Sequence, residues 1–196
     1  MVTAPLDSAA ERREIPVLGM WVFLITGVLF FGPLFFGYVH ARLAGPEAFV
    51  SGSHHMHFWL GTINTAVLLT SSFFMALAVQ ASRSGKPIRN MLLLTALLGV
   101  VFLCIKGYEY TSEIPEAMSA SGSESVFYFL YFAMTGLHAL HLSIGIGLLG
   151  WLWLTARRYG PARHAPVEVT GLYWHFVDLV WVFLYPMFYL LERYSA

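Results

Sequence analysis

Long apolar stretches alternate with short polar segments along the chain. The five stretches cover residues 17–40, 58–80, 88–110, 126–154 and 170–191, while prolines, glycines and charged residues concentrate between them. Each stretch is long enough to cross the hydrocarbon core of a bilayer, which takes about 20 residues of helix. The pattern predicts an all-α integral membrane bundle of five transmembrane helices, with a tail over residues 1–16 and a single domain over residues 17–196.

The basic residues predict how this bundle is oriented. Lysine and arginine in short loops stay on the cytoplasmic side of a membrane. Here eight basic residues precede the first stretch, bracket the turn between the second and third, and fill the segment between the fourth and fifth: Arg12, Arg13, Arg83, Lys86, Arg89, Arg157, Arg158 and Arg163. We therefore expect a cytoplasmic N-terminus and a periplasmic C-terminus. Residues 1–10 lack the apolar core of a signal peptide, so the first stretch is expected to be a retained helix.

The composition supports a membrane protein and argues against several other classes. Of the 196 residues, 58% are hydrophobic and 11% are charged, whereas a water-soluble domain carries about 25% charged residues. The net charge of zero offers no basic face for a nucleic acid, so no nucleic-acid partner is expected. The single cysteine, Cys104, cannot form an internal disulfide or a cysteine-rich metal site.

Three pairs of ionisable residues fall within the predicted spans. Such residues are costly in a membrane and suggest a function by default. The members of each pair are three residues apart and therefore share one helix face. The pairs are Lys106 with Glu109, His138 with His141, and His175 with Asp178.

His138 and His141 have two interpretations. Histidine is the commonest metal ligand, so the pair could bind a haem or a metal ion. A haem between helices would need a second histidine on a facing helix, and a catalytic metal would need three converging ligands. Because the sequence supplies neither convincingly, we favour an interhelical hydrogen-bond pair.

The other two pairs also favour structural roles. Asp178 could set the tautomer of His175 in a proton relay, but both residues lie near the cytoplasmic end of the fifth helix, next to Trp174. We expect a polar cluster there that anchors the helix and binds a lipid head group. Lys106 and Glu109 could form a carrier's substrate site, but an ion pair at the helix end, facing the outer interface, is favoured.

The first outer loop contains His54, His55 and His57. They could capture a metal, but histidines of a flexible loop seldom preorganise a site, and a solvated turn is favoured. Pro33 and Pro186 interrupt the first and fifth spans, which membrane helices commonly accommodate. The sequence shows no matched pair of broken helices around a central site, which weakens a transporter or proton channel without excluding it.

Residues 173–185, with the sequence YWHFVDLVWVFLY, closely resemble the last helix of cytochrome c oxidase subunit III. Further segments agree in the family's order: residues 64–72 (NTAVLLTSS), 107–110 (GYEY) and 135–141 (TGLHALH), with the carboxylate of Glu168 shortly before the fifth helix. The resemblance covers essentially the whole chain from about Leu18 onward. The chain is similar to the five-helix form of haem-copper oxidase subunit III that is common in bacteria.

The resemblance implies a non-catalytic subunit for aerobic respiration in the bacterial inner membrane. Its main contact would be subunit I, with subunit II and small subunits as further partners. It would hold structural phospholipid and support proton uptake and durability during turnover, while haem and copper would belong to the partner subunits. The chain itself would carry no catalytic residue and bind no cofactor or metal. The residues expected to bind lipid or form a structural polar cluster are Asn64, Glu109, His138, His141, Trp174, His175 and Asp178.

One position departs from the family's pattern. Family members often carry a membrane-embedded carboxylate in the helix that corresponds to the first span, where this chain has Gly27. The departure leaves room for a related branch, the subunit-III-like accessory protein encoded with nitric oxide reductases. Two alternatives come from other classes: a small transporter or proton channel that uses the ionisable pairs, and an enzyme with its own haem at the histidine pair.

Overall fold

A computed structural model describes residues 6–161 and 163–191, with side chains from residue 18 onward except at position 55. These residues contain helices and no β-strand. The α-helices are α1 (Leu6–Ala44), α2 (Pro46–His55), α3 (Phe58–Arg83), α4 (Arg89–Ser119), α5 (Ser123–Leu154) and α6 (Ala165–Tyr185). A short 3-10 turn, Ala156–Arg158, follows α5, and α6 continues into a π-helical turn, Pro186–Leu190.

Five of these helices are long and apolar enough to cross a membrane. The spans are Leu18–Ala44, Phe58–Arg83, Arg89–Ser119, Ser123–Leu154 and Ala165–Leu190. The prediction of an all-α bundle with five transmembrane helices is therefore confirmed. The remaining helix, α2, has ten residues and is roughly 15 Å long, too short for a hydrocarbon core of about 30 Å.

The segment between the first two spans forms a helix rather than a flexible loop. α2 starts with a proline, which suits a first helical turn because its missing N–H would be unpaired there anyway. Phe49 of α2 is 1% exposed and packs edge-on against Phe127 of α5, with ring centroids 5.4 Å apart. His54 and His57 are exposed, and the side chain of His55 lies outside the described residues.

α4 extends more than two turns beyond the predicted end of the third span, to Ser119. Pro115 lies inside it; membrane helices tolerate a proline when neighbouring groups satisfy the backbone. Gly122, with φ of 60°, then adopts a conformation that favours glycine, and the chain reverses into α5. Most of the segment between the third and fourth predicted spans is therefore helix.

α6 lies in the middle of the bundle. It packs against α1, α3 and α5, while α3 packs on α4 and α4 packs on α5. In the most apolar part of each span, 56% of the α6 residues are buried but only 17% of the α1 residues. The polar residues of α6 therefore point mainly into the protein, whereas α1 turns most of its apolar surface outward.

The π-helical turn at the end of α6 makes a backbone carbonyl available to α1. The Leu191 N–H donates to the Pro186 carbonyl five residues back, at 3.0 Å, where an α-helix would use the Met187 carbonyl. The Met187 carbonyl instead accepts a hydrogen bond from the Tyr38 hydroxyl of α1. This contact fixes the C-terminal turn against the first span.

The basic loops meet at one end of the bundle. Arg83 Nε donates to Glu168 Oε1, and the Arg89 guanidinium lies 4.5 Å from the centre of the Trp153 ring. We call this the basic end and the opposite end, towards Glu113, the acidic end. Which end faces the cytoplasm stays a prediction.

Candidate functional site

Polar side chains enter the bundle in three groups along α6. The basic-end cluster consists of Ser72, Arg83, Glu168, His175 and Asp178. The mid-bundle cluster consists of Asn64, Ser71, Thr95, His138 and Trp174. The acidic-end cluster consists of Lys106, Glu109, Glu113, Tyr131 and Tyr189. Every site residue expected from the sequence belongs to one of them except His141.

In the basic-end cluster, His175 and Asp178 are joined through α3 rather than to each other. His175 Nδ1 lies 2.6 Å from Ser72 Oγ, and the Ser72 hydroxyl also interacts with the Asp178 carboxylate. A hydroxyl can accept from an imidazole N–H while it donates to a carboxylate. No hydrogen bond or ion pair joins these two described residues, and each side chain instead reaches the same serine of α3. Asp178 is 6% exposed, and its Oδ1 has no hydrogen-bond partner.

A groove beside this cluster runs between α1 and α6. Its mouth has a volume of about 260 Å³ and is lined by Trp21, Val79, Arg83, Glu168, Leu172 and His175. A larger part of about 470 Å³ continues from it and is lined by Trp21, Leu24, Ile25, Val28, Leu29, Leu172, His175, Phe176 and Leu179. Because the two parts share three of these residues, they form one amphiphilic groove with a charged mouth and an apolar body.

Glu168 is the charged centre of the groove's mouth. Its Oε1 accepts a hydrogen bond from Arg83 Nε and lies 3.6 Å from His164 Nε2. The Arg83 side chain is 61% exposed, whereas that of Glu168 is 17% exposed. The carboxylate therefore positions a guanidinium group that remains accessible to an anion at the mouth.

In the mid-bundle cluster, Trp174 occupies space that two glycines leave between α4 and α5. A Cβ atom at Gly99 would lie 2.8 Å from the indole ring, and one at Gly145 would lie 3.0 Å from it. The Trp174 Nε1–H donates to Ser71 Oγ at 3.2 Å, and Ser71 donates to the Thr95 carbonyl at 2.9 Å. Trp174 is 1% exposed, so the structure places it in helix packing and not at the groove.

His138 is enclosed by aromatic rings. It is 1% exposed, and its ring centroid lies 5.6 Å from that of Phe102 and 5.3 Å from that of Trp181. Neither of its nitrogens has a hydrogen-bond partner. His141 Nδ1 lies 2.8 Å from the Leu137 carbonyl of its own helix. The predicted interhelical hydrogen-bond pair is therefore wrong, because one imidazole packs among rings and the other bonds within α5.

Asn64 connects α3 to α4. It is fully buried, its Nδ2 donates to the Phe102 carbonyl at 3.4 Å, and its Oδ1 has no hydrogen-bond partner. In the part of the chain that the structure describes, no three His, Cys, Asp or Glu side chains lie close enough to hold a metal ion. The polar atoms of the mid-bundle cluster therefore do not form a metal-ligand set among these residues.

Lys106 is the centre of the acidic-end cluster. Its Nζ donates to Glu109 Oε2 at 2.9 Å, to the Tyr131 hydroxyl at 2.7 Å and to the Tyr189 hydroxyl at 2.6 Å. The Tyr189 hydroxyl donates in turn to Glu109 Oε1 at 2.5 Å. Lys106 is 2% exposed and Glu109 is fully buried. The predicted ion pair is formed, but its predicted place at a helix end facing the outer interface is wrong, because α4 continues past Tyr110 and both side chains are buried in the bundle.

Aromatic rings surround the Lys106 ammonium group. Its Nζ lies between 4.7 and 5.6 Å from the ring centres of Tyr110, Tyr131, Trp181 and Tyr189. The negative face of an aromatic ring attracts a cation, most strongly where water is excluded. Rings and hydrogen bonds together therefore replace the water that this buried ammonium group has lost.

Sequence reasoning missed several members of these clusters. Tyr131 and Tyr189 gave no signal, and Ser72 appeared only as the last residue of the segment 64–72. Hydroxyl groups are common in membrane helices, and only the packing shows which ones are used. Glu113 did give one, since it lies four residues after Glu109 and so on the same face of a helix. It was missed because the third span was predicted to end at residue 110.

Gly27, where the resemblance leads us to expect a carboxylate in other family members, allows close packing of α1 on α6. A Cβ atom at Gly27 would lie 2.7 Å from Phe176 Cζ, closer than two carbon atoms can approach without displacement. The Phe176 ring therefore lies where a side chain at residue 27 would begin. This packing gives a physical reason for the glycine in this chain.

Known proteins similar to this chain are named as subunit 3 of a cytochrome c oxidase or of a quinol oxidase. The sequence model of a family described as cytochrome c oxidase subunit III matches residues 11–193. The chain is 34% identical over 194 residues to cytochrome c oxidase subunit 3 of Thermostichus vulcanus, covering 96% of this chain and 94% of the relative. It is 31% identical over 191 residues to cytochrome c oxidase subunit 3 of Corynebacterium diphtheriae, covering 94% of this chain and 92% of the relative. It is also 31% identical over 194 residues to quinol oxidase subunit 3 of Bacillus subtilis, covering 96% of this chain and 93% of the relative.

Proposed function

The chain belongs to the cytochrome c oxidase subunit III family, and from this premise we propose that it packs on subunit I, binds phospholipid and supports proton uptake and durability during turnover. Membership makes it a multi-pass membrane subunit of a haem-copper oxidase, of the cytochrome c or quinol type. The proposal further assigns the complex to the bacterial inner membrane, with subunit II and small subunits as additional partners.

The amphiphilic groove between α1 and α6 carries the lipid part of the proposal. Its mouth presents the exposed guanidinium of Arg83, and arginine pairs well with phosphate because its planar donors can make two parallel hydrogen bonds. Its body is almost wholly apolar, as the acyl chains of a phospholipid require. A lipid bound there would have its head group at the basic end and its chains along α1.

His138 and His141 are poorly placed to hold a haem. A haem between helices takes one imidazole from each of two facing helices, but His138 is enclosed by Phe102 and Trp181, and His141 is bonded to the Leu137 carbonyl. We therefore assign the haems and the copper to the partner subunits. We assign no catalytic residue to this chain.

The outer surface of the bundle is suited to contact with other membrane helices. Large apolar side chains are exposed on α1, α3 and α4, including Trp21, Ile25, Leu29, Trp59, Phe73, Leu97 and Val101. In a membrane such surfaces are covered by lipid or by other helices through van der Waals packing. Subunit I is the neighbour that we propose for part of this surface.

Purification of the tagged chain in a gentle detergent tests the proposed contacts. We expect subunits I and II to co-purify, with the haem bands of the optical spectrum belonging to them and phospholipid retained. A chain that leaves oxidase-containing membranes alone and colourless would contradict packing on subunit I. Assays with reduced cytochrome c and with reduced quinol would then identify the electron donor, since the named relatives include both types.

Removal of the subunit tests its proposed role in turnover. Electron transfer by the remaining complex should survive, while proton uptake slows and inactivation during turnover becomes faster. Adding the purified chain back should restore durability. An unchanged inactivation rate, or loss of the haem spectrum on removal, would contradict the proposed role.

A further inference from the structure

Within the acidic-end cluster, Lys106 and Glu109 already satisfy each other. Three hydrogen bonds use the three donors of the Lys106 ammonium group. Both oxygens of Glu109 accept a hydrogen bond, one from Lys106 and one from Tyr189. The positive charge and the negative charge balance, and neither group has an obvious need for a further partner.

Glu113 adds a second carboxyl group to this balanced pair. It lies one turn further along α4 and is 2% exposed. Neither of its oxygens has a hydrogen-bond partner, although Lys106, Glu109 and Tyr131 all lie close enough to interact with it. An ionised carboxylate that is buried without a partner is strongly unfavourable. The cluster therefore lacks one positive charge.

The groups that face Glu113 do not supply this charge. On α4 they are Lys106, Glu109 and Tyr110, and on α5 they are Tyr128 and Tyr131. Tyr189 approaches from the C-terminal turn. Lys106 is the only cation among these described groups, and it is already paired with Glu109.

We propose that Glu113 is a proton-binding site, held as a neutral carboxylic acid inside the folded bundle. When the site empties, the O–H bond of the acid breaks, the proton passes to water at the acidic end, and the negative charge stays on Glu113. The exposed side chain of Glu116 lies one turn further along α4, so the path to water is short. This site goes beyond the proposed function, since it requires neither the groove nor a partner subunit.

The charge that remains after proton release would disturb the contacts of Lys106. An ionised Glu113 next to Tyr131 would attract the proton of the tyrosine hydroxyl and compete with Glu109 for the ammonium group. Tyr131 lies on α5 and Tyr189 lies in the C-terminal turn, and both bond to Lys106. Proton release should therefore loosen the packing of α4 against these two elements.

Infrared spectroscopy of the full chain, purified with its partner subunits, tests whether Glu113 carries the proton. At neutral pH we expect a carboxylic-acid C=O band that moves to lower frequency in D₂O and is lost in Glu113→Gln. The matched control is Glu116→Gln, which replaces an exposed carboxylate of the same helix and should keep the band. Glutamate labelled with ¹³C at its side-chain carboxyl separates this band from any contribution of Asp178.

Three outcomes would overturn the proposal. In the first, Glu113→Gln removes a carboxylate band instead of an acid band. In the second, it leaves the labelled acid band unchanged. In the third, the stability of the wild-type chain rises with sodium or potassium concentration while that of Glu113→Gln does not, which would make Glu113 a metal-cation site.

Thermal unfolding as a function of pH provides a test that does not depend on the variant's spectrum. At neutral pH, Glu113 would keep its proton in the folded chain but would have released it to water in the unfolded chain. A rise in pH therefore favours the unfolded chain, and the stability of the folded chain should fall. Glu113→Gln should weaken this dependence to what Asp178 and the other groups contribute, and Glu116→Gln should keep it in full. If Glu113→Gln does not fold, labelled wild-type protein decides: its glutamic-acid band must fade as stability falls, and a constant band would overturn the proposal.

Discussion

The indole ring of Trp174 lies in a notch that exists because residue 99, on the facing helix, is glycine. The nearest ring carbon would be 2.8 Å from a Cβ atom at Gly99. The same ring donates a hydrogen bond to Ser71, so one side chain connects α6 to both α3 and α4. The stability of the bundle should therefore depend on the absence of a methyl group at this position.

Gly99→Ala should destabilise the protein by about 1–3 kcal/mol, the usual cost of overpacking a well-filled interior. The matched control is Gly107→Ala on the same helix, where a Cβ atom would meet nothing within 4 Å; there the better helix propensity of alanine should be neutral or stabilising. Thermal unfolding in detergent measures both. Equal melting temperatures for the two variants would contradict the packing argument.

Ser72→Ala should destabilise the protein by about 1–3 kcal/mol, because it leaves His175 and Asp178 without the hydroxyl that both contact. Ser143→Ala is the control, since Ser143 is exposed and bonds only to the Ala139 carbonyl one turn back. Asp178→Ala should have an effect comparable to that of Ser72→Ala. If the double variant of Ser72→Ala and Asp178→Ala loses as much stability as the two single variants together, the two residues act separately.

Lys106→Met should be the most damaging of these substitutions, at about 3–5 kcal/mol, because it leaves the carboxylate of Glu109 buried without its cation. Adding Glu109→Gln should restore much of the lost stability. Denaturant or thermal unfolding of the two single variants and the double variant gives the coupling energy. Strictly additive effects would contradict a buried ion pair.

Arg83→Gln should reduce the amount of phospholipid that remains with the purified chain, since it removes the exposed cation at the mouth of the groove. Arg157→Gln is the control, because Arg157 is an exposed arginine of the basic segment after α5 that does not line the groove. Lipid extraction followed by mass spectrometry measures retention. The same lipid loss in both variants would indicate a general effect of charge.

Gly27→Glu, which introduces a carboxylate at this position, should destabilise the contact between α1 and α6 by about 1–3 kcal/mol. The new side chain would start 2.7 Å from the Phe176 ring. Gly32→Glu controls for a carboxylate on α1, since a Cβ atom there would meet nothing within 4 Å. The double variant of Gly27→Glu and Phe176→Ala should lose less stability than the sum of the losses of the two single variants, because removing the ring removes the steric conflict.

The five spans could be predicted because membrane insertion depends on the length and polarity of a segment, and both can be read from the sequence. Helix ends were harder to predict. Pro115 and Glu113 are typical of loops, but here the carboxyl group is buried in the bundle and the proline is accommodated. α2 was missed for a similar reason, since glycine and histidine obscured a helix that Phe49 holds against α5.

The sequence predicted which residues belong to the candidate site, but not which of them contact each other. Spacing along one helix correctly brought His175 and Asp178 onto a common face, yet it could not show that Ser72 of another helix would reach both. Spacing likewise paired Lys106 with Glu109 but gave no information about the tyrosines of α5 and the C-terminal turn. Contacts between helices depend on packing, which the sequence pattern of a single helix does not contain.

The π-helical turn at the end of α6 constrains the length of the chain at that point. A π turn is equivalent to one residue inserted into an α-helix, and each helical residue rotates by about 100°. Deleting one residue ahead of Tyr189 would convert the turn to α-helix and move Tyr189 one position closer to α6, which shifts its hydroxyl away from Lys106. The Met187 carbonyl would also return to the helical ladder and lose the Tyr38 hydroxyl. At this point a change in residue number would therefore be more disruptive than most changes in residue type.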